Sequence, residues 1–288
     1  MAWPSIADLV WVFAVASVPM GAFGYGFSSI STPLLIAIGY SNRQFAPILN
    51  FVELWQNPMV LIMSKRGINY RTFRQALPLC LGIAPGTVLG ALILKQTDPD
   101  ALRLATLAVI APLILIQAAG IRRPIQRGWW LLGPPLGLPV GILYGVTTIS
   151  GPPLALIFNN NGLAKDEFKA AMSIVRTTES TLTFISYTLL GIFTPDVLVT
   201  VAYVAPIIVV FTLIGHYLVR VLPREDFRRL TMSFDAWIVG YGLSNVLSKM
   251  RPLPDPYNYM PLIMIVTIDS LLLYRYFTVQ RQRLMIDS

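Results

Sequence analysis

The chain is poor in charge. Charged residues make up 12% of its 288 positions, about half the share with which a soluble domain clothes its surface. It is equally poor in the residues that build covalent and metal sites, with one cysteine, Cys80, in an apolar run, and one histidine, His216. The first excludes a disulfide framework and a Cys-rich metal site; the second excludes a multi-histidine centre. No Gly-x-x-x-x-Gly-Lys-Ser/Thr phosphate loop and no Gly-x-Ser-x-Gly nucleophile turn occurs. What is abundant is apolar: 55% of the residues, with a mean hydropathy of +0.64. These proportions rule out an ordinary soluble enzyme, a disordered chain and a nucleic-acid-binding domain. The net charge of +8 has to be read from where the charges fall.

Apolar stretches of about 20 residues are long enough to cross a bilayer as helices. They occur near 44–64, 75–95, 101–119, 170–191, 197–219, 231–248 and 260–277. The breaks between them carry Lys, Arg, Asp and Pro. No basic residue precedes the first apolar run, so a cleaved signal peptide is not expected. Two further apolar regions, 6–41 and 129–159, are interrupted by Gly, Pro, Ser and Thr.

These two regions match each other without gaps. Tyr25-Gly26 falls on Tyr144-Gly145, Ser28-Ser29-Ile30-Ser31 on Thr147-Thr148-Ile149-Ser150, Pro33 on Pro152, and Leu35 on Leu154. Further on, Phe45 falls on Phe168, Gly90 on Gly215, and Asp100-Ala101-Leu102-Arg103 on Glu225-Asp226-Phe227-Arg228. The chain therefore reads as a duplication: a first membrane repeat over 1–120, a second over 121–250, and an appended C-terminal helix and tail over 251–288. Each repeat is one interrupted segment followed by three helices.

Lys and Arg collect on the cytoplasmic side of membrane proteins. If each interrupted segment crossed once, 9 basic residues would lie on one side and 12 on the other. If each is a hairpin that returns to its own side, the split becomes 16 to 5, the five being Arg43, Lys95, Arg103, Lys249 and Arg251. The hairpin threading places the N-terminus outside and the C-terminus in the cytoplasm. It also inverts the second repeat relative to the first. The expected fold is thus an all-α integral membrane protein of two inverted repeats, each a broken-helix hairpin plus three transmembrane helices, with one extra C-terminal helix. That is the plan of many secondary transporters.

The candidate site follows from the breaks. A helix start leaves backbone N–H groups unpaired and carries partial positive charge. In hydrocarbon such groups must be satisfied by protein, water or ligand. Two facing breaks, with Ser28, Ser29, Ser31 and Thr32 on one and Thr147, Thr148, Ser150 and Gly151 on the other, would offer donors to one anion. Close helix packing by small residues is the plainer reading of each cluster alone; the matched prolines favour a binding site.

Arg176 is the one Lys or Arg read as lying away from loop ends, and its planar fork suits an oxyanion. Asn50 lines the same region, and Glu53 and Glu179 are candidate proton carriers. A pair of Arg176 with Glu53 or Glu179 that merely stabilises packing is the competing reading. His216 and Asp235 read as helix-end residues and Trp129-Trp130 as an interfacial anchor. Asn159-Asn160-Asn161 reads as a surface turn. Asp269, on the unpaired last helix, leaves a contact in a homo-oligomer open.

The duplicated hairpin motif, the segment Ala76-Leu77-Pro78-Leu79-Cys80-Leu81-Gly82-Ile83-Ala84-Pro85-Gly86-Thr87-Val88-Leu89-Gly90-Ala91 and the loop Leu222–Leu230 resemble the sulfite exporter TauE/SafE family over roughly residues 6–248. Where members usually carry a Gly-Gly run before the proline, this chain carries the hydroxyl residues just named. The resemblance implies export of a small sulfur-containing or carboxylate anion. The expected partners are that anion and the lipid bilayer, with no nucleic acid. No catalytic residue, metal or cofactor is expected, and an intramembrane enzyme or a non-transporting membrane subunit is the alternative.

Overall fold

The computed structural model describes residues 4–119, 129–161, 163–221, 224–250 and 256–280. Among them every regular element is helical: α1 (Ile6–Phe23), α2 (Phe27–Ile38), α3 (Asn42–Met63), α4 (Tyr70–Gln96), α5 (Pro99–Ala119), α6 (Trp129–Thr147), α7 (Gly151–Asn160), α8 (Lys165–Leu189), α9 (Pro195–Val221), α10 (Arg224–Met250) and α11 (Met260–Arg275). Short turns at 65–67 and 257–259 precede α4 and α11. The basic residues Arg122, Arg123, Arg127, Arg251, Arg281 and Arg283 lie outside the described residues.

Among the described residues six helices are long and apolar enough to span a bilayer: α1, α4, α5, α6, α9 and α11 with its flanking turns. The protein is an all-α membrane protein. Helices α3, α8 and α10 are as long but more polar, and they carry the buried charges Glu53, Arg176, Glu179, Arg229 and Asp235.

The apolar pattern alone sets three helix starts too late. Helix α4 begins at residue 70 rather than 75, α8 at 165 rather than 170, and α10 at 224 rather than 231. Local capping adds the first turns of α4 and α8. The Asn69 side chain accepts from the Thr72 N–H at 2.9 Å, and the Glu167 carboxylate accepts from the Ala164 N–H at 3.0 Å. At 27 residues, α4 and α10 are about 40 Å long, against a hydrocarbon core of about 30 Å. Their first turns overhang it and need no apolar face.

Both interrupted segments reverse direction. After α1 the chain turns through Gly24 (φ 81°) and Gly26 (φ 115°), conformations that a Cβ disfavours. The end of α2 comes back to the start of α1, where Tyr40 Oη donates to Asp8 Oδ2 at 2.7 Å and accepts from the Ser5 N–H at 3.1 Å. In the second segment the chain turns at Thr148, a non-glycine residue at φ 61°. Here Gln75 ties the two ends. Its carbonyl accepts from Trp129 Nε1 at 3.0 Å at the start of α6, and its side chain accepts from Asn161 Nδ2 at 2.8 Å beyond α7. Trp129 is thus buried against α4, contrary to the interfacial-anchor expectation, while its neighbour Trp130 is exposed. Asn161, expected in a surface turn, is likewise buried.

The loops sort into two ends. Arg43 donates to the carbonyls of Leu94, Lys95 and Thr97; Lys95 donates to Leu190 O, and Arg103 to Gly39 O and Tyr40 O. At the opposite end Asn69 and Arg71 meet Glu167.

Close packing rests on small residues, as expected where lipid offers helices little hydrophobic drive to associate. Gly82, Gly86 and Gly90 of α4 lie against Gly133, Gly137, Gly141 and Gly145 of α6. A Cβ on Gly82 would sit 1.9 Å from Pro134 O, and one on Gly90 would sit 2.4 Å from Ile142 O. Helices α1 and α9 meet in the same way, Gly21 against Thr212 O at 1.9 Å and Gly215 against Val18 O at 2.0 Å.

Helix α11 is held by a buried ion pair. Arg229 of α10 lies 2.8 Å from Asp269, and Trp237 Nε1 donates to Asp269 Oδ2 at 3.1 Å. Asp269 therefore has its partner within the chain. Arg176 is not the one buried basic residue among the described residues, since Lys169 and Arg229 are each 3% exposed. Asp269→Ala would strand the Arg229 guanidinium and is expected to cost about 3–5 kcal/mol. Thermal melting of purified protein should show this loss, with Asp269→Ala/Arg229→Met recovering most of it. Equal melting temperatures for the single and double variants would contradict the pairing.

Candidate functional site

The tips of the two hairpins pass each other in the interior. Thr32 Oγ1 of α2 donates to Thr147 O at 3.0 Å. A side chain on Gly151 would meet the Tyr25 ring at 2.9 Å and Ser29 Oγ at 3.2 Å, so the bare first residue of α7 is what lets the tips overlap. The two helix starts differ in what they offer. Helix α2 begins with Phe27, Ser28 and Ser29, each with an N–H, whereas α7 begins with Gly151-Pro152-Pro153, of which only Gly151 has one.

Arg176 of α8 reaches this junction and is fully buried. Its Nη1 donates to Ser150 Oγ at 3.3 Å and its Nη2 to Ser28 Oγ at 3.3 Å, one residue from each hairpin. Nη2 also forms an ion pair with Glu53 Oε1 of α3. Nε donates to Asn57 Oδ1 at 3.4 Å, and Asn57 Nδ2 donates to Arg176 O at 3.2 Å. The guanidinium is thus aimed by α3 across both tips.

Two carboxylates surround it. Glu53 Oε2 accepts from Tyr144 Oη at 2.7 Å. Glu179, one turn beyond Arg176, accepts from Ser150 Oγ at 2.5 Å through Oε2, while its Oε1 has no partner among the described residues. Asn50 Nδ2 donates to Ser180 O at 3.2 Å and lies 3.5 Å from Tyr144 Oη. Of the sequence-derived candidates, Ser28, Asn50, Glu53, Ser150, Gly151, Arg176 and Glu179 therefore gather in one cluster. Ser29 and Ser31 are buried beside it with unpartnered hydroxyls.

Thr32, Thr147 and Thr148 hold the tips instead. Thr147 Oγ1 accepts from the Ile149 N–H at 3.0 Å and donates to Leu143 O at 2.7 Å; Thr148 Oγ1 donates to Thr147 O at 2.6 Å. Gln56 turns away to donate to Thr212 on α9 at 2.9 Å. Tyr144 is the residue the sequence reading missed. It stood in the aligned Tyr-Gly pair, yet it was read as part of the repeat and not of the site. Asp235, expected near a helix end, lies midway along α10 and is buried.

The cluster holds one fixed positive charge against two carboxylates, all buried. Burying such groups costs several kcal/mol unless each is paired and hydrogen-bonded. Most of their atoms are paired here. Glu179 Oε1, Asn50 Oδ1, Ser29 Oγ and Ser31 Oγ are not.

Residues 9–241 match the family described as sulfite exporter TauE/SafE. The chain belongs to that family. A curated relative, the probable sulfite/organosulfonate exporter TauE of Cupriavidus necator, is 26% identical over 200 residues, which cover 67% of this chain and 76% of the relative. No solved structure matches the chain.

Proposed function

We propose that the protein is a secondary exporter of a small oxyanion, most readily sulfite or an organosulfonate and alternatively a carboxylate, bound between the two hairpin tips near the bilayer midplane. One observation carries this reading: a fully buried Arg176 shares its fork between Ser28 of one hairpin and Ser150 of the other. A planar guanidinium flanked by hydroxyls and helix starts matches the oxygens of such an anion. The name of the Cupriavidus relative points to the same substrates.

Glu53 stands in for the substrate in this reading. It occupies the Arg176 fork, and an incoming anion takes its place. A proton on Glu53 would release Arg176, and a proton on Glu179 would lower the charge that the anion meets, which makes both carboxylates candidates for coupling. Outward movement of a monoanion is also assisted by an inside-negative potential, at about 2.3 kcal/mol per charge per 100 mV.

The repeats belong to the same proposal. In order, α1 to α5 correspond to α6 to α10, with α11 appended. The packing of α4 on α6 corresponds to that of α9 on α1, and α3 with α8 and α5 with α10 are pairs that the duplication exchanges. The two halves are taken as residues 1–120 and 121–250, inverted in a bacterial inner membrane, with the N-terminus outside. In a Cys80→Ala background, a membrane-impermeant thiol reagent added to whole cells should label Asp196→Cys and leave Arg224→Cys unlabelled. The reverse result would overturn the orientation.

Binding is tested on purified protein. A ligand that binds the folded state raises its melting temperature by mass action. Sulfite or a short organosulfonate should raise it, whereas chloride at matched ionic strength should not. If no anion of the panel outperforms chloride, the anion-site reading is wrong.

A further inference from the structure

The crevice between the first hairpin and α10 holds a carboxylate that the anion site does not use. Asp235 is 6% exposed, and its Oδ1 has no hydrogen-bond partner among the described residues. It faces Pro19 and Phe23 of α1, Tyr25 of the tip, Ser29 of α2, Gln117 of α5 and Pro152 of α7. Tyr25 is the one titratable group among these, and its hydroxyl accepts from Gln117 Nε2 at 2.9 Å. From α10 itself the lining adds Thr231 and Met232, neither charged.

Among the described residues, the buried cations of neighbouring elements are engaged elsewhere: Arg176 with Glu53, Arg229 with Asp269, and Lys169 Nζ with Gly21 O at 3.1 Å. A carboxylate buried without a cation is costly, and within a membrane such a residue marks an ion path by default.

Ser29 supplies the second observation. Its hydroxyl opens into the same crevice, is 2% exposed and also has no partner among the described residues. Its oxygen lies beside Gly151, next in sequence to the Ser150 that donates to Glu179. The crevice volume is about 20 Å³, enough for one water. Two free oxygens suit a proton better than hard metal cations, which take about six or more oxygen ligands.

We propose that Asp235 is a proton-binding site of the transport cycle, loaded from the crevice between the first hairpin and α10 and linked through Ser29 to the carboxylates around Arg176. In the loading step a hydronium gives its proton to Asp235 and leaves water. In the unloading step the Asp235 O–H bond breaks, the Ser29 hydroxyl accepts that proton as it gives up its own, and the Glu179 carboxylate takes the proton released, which restores the Asp235 carboxylate. The proposal rests on the transporter reading.

Proteoliposomes separate the two. Counterflow of radiolabelled sulfite at equal pH measures transport itself; uptake driven by an imposed pH gradient measures coupling. Wild type should show both. Asp235→Asn should keep counterflow and lose the response to the pH gradient, and Asp235→Glu should regain it. An Asp235→Asn variant that follows the gradient like wild type overturns the proposal. So does wild-type counterflow that ignores the pH gradient, or a response to a Na⁺ gradient instead. If Asp235→Asn does not fold, Ser29→Ala decides. The ratio of gradient-driven uptake to counterflow should fall, and an unchanged ratio contradicts the link. Absence of counterflow in wild type counts against the transporter reading first.

Discussion

Replacing Arg176 and Glu53 together by glutamine is expected to give a protein that folds and no longer moves anions. The reasoning starts from the cost of single changes. Arg176→Ala leaves the Glu53 carboxylate buried with Tyr144 alone, and breaking a buried pair costs about 3–5 kcal/mol. That is a large part of the roughly 5–15 kcal/mol holding a typical domain together, so a dead single variant would say little. The double glutamine variant removes both charges while keeping hydrogen-bonding side chains toward Ser28, Ser150 and Tyr144. Its stability should fall less than that of Arg176→Ala, because neutral replacement of both partners is often close to neutral, and the remaining cost is that of Glu179, which keeps Ser150 but loses its cation. If the pair only stabilises packing, this variant transports like wild type. If Arg176 holds the substrate, counterflow disappears from protein that elutes and melts normally. Arg176→Lys refines the test: it keeps the charge, loses the fork, and should bind anions more weakly.

Gly86→Val is expected to abolish folded protein altogether. A Cβ there would stand 2.4 Å from Leu138 O and 3.0 Å from Gly141 Cα. Both neighbours are backbone, so no side chain can swing aside. Overpacking of ordinary cores costs about 1–3 kcal/mol, and a rigid backbone contact belongs at or above the top of that range. The effect spreads, because α4 carries Gly82 and Gly90 on the same stripe and α6 bears the second hairpin. Leu89→Val, on the half-exposed side of α4, is the control and should express and melt like wild type. The yield of monodisperse protein and its melting temperature decide the matter. Normal yields of Gly86→Val would contradict the close approach of α4 and α6.

The reversal of both segments was legible in the sequence because two apolar stretches carry the same Tyr-Gly, hydroxyl and Pro pattern of breaks, and because the basic residues split unevenly only under a hairpin threading. Arg176 and Glu53 were legible because ionisable residues within apolar helices are conspicuous. Tyr144 was not, because an aromatic residue in an apolar run looks like any other until its hydroxyl is seen on Glu53. The glycine stripes of α4 and α6 are written at intervals of four, but the sequence does not say that each is the other's partner. Asp235 and Arg229 were misplaced for a different reason. A polar α10 with an overhanging first turn hides its true start, and seven residues of error move a buried position to an apparent helix end.

Counterflow in proteoliposomes of purified wild-type protein tests the central claim most directly. Vesicles loaded with unlabelled sulfite should accumulate labelled sulfite transiently, and an organosulfonate added outside should compete while chloride should not. Accumulation indistinguishable from protein-free vesicles across sulfite, organosulfonates and carboxylates would contradict the account.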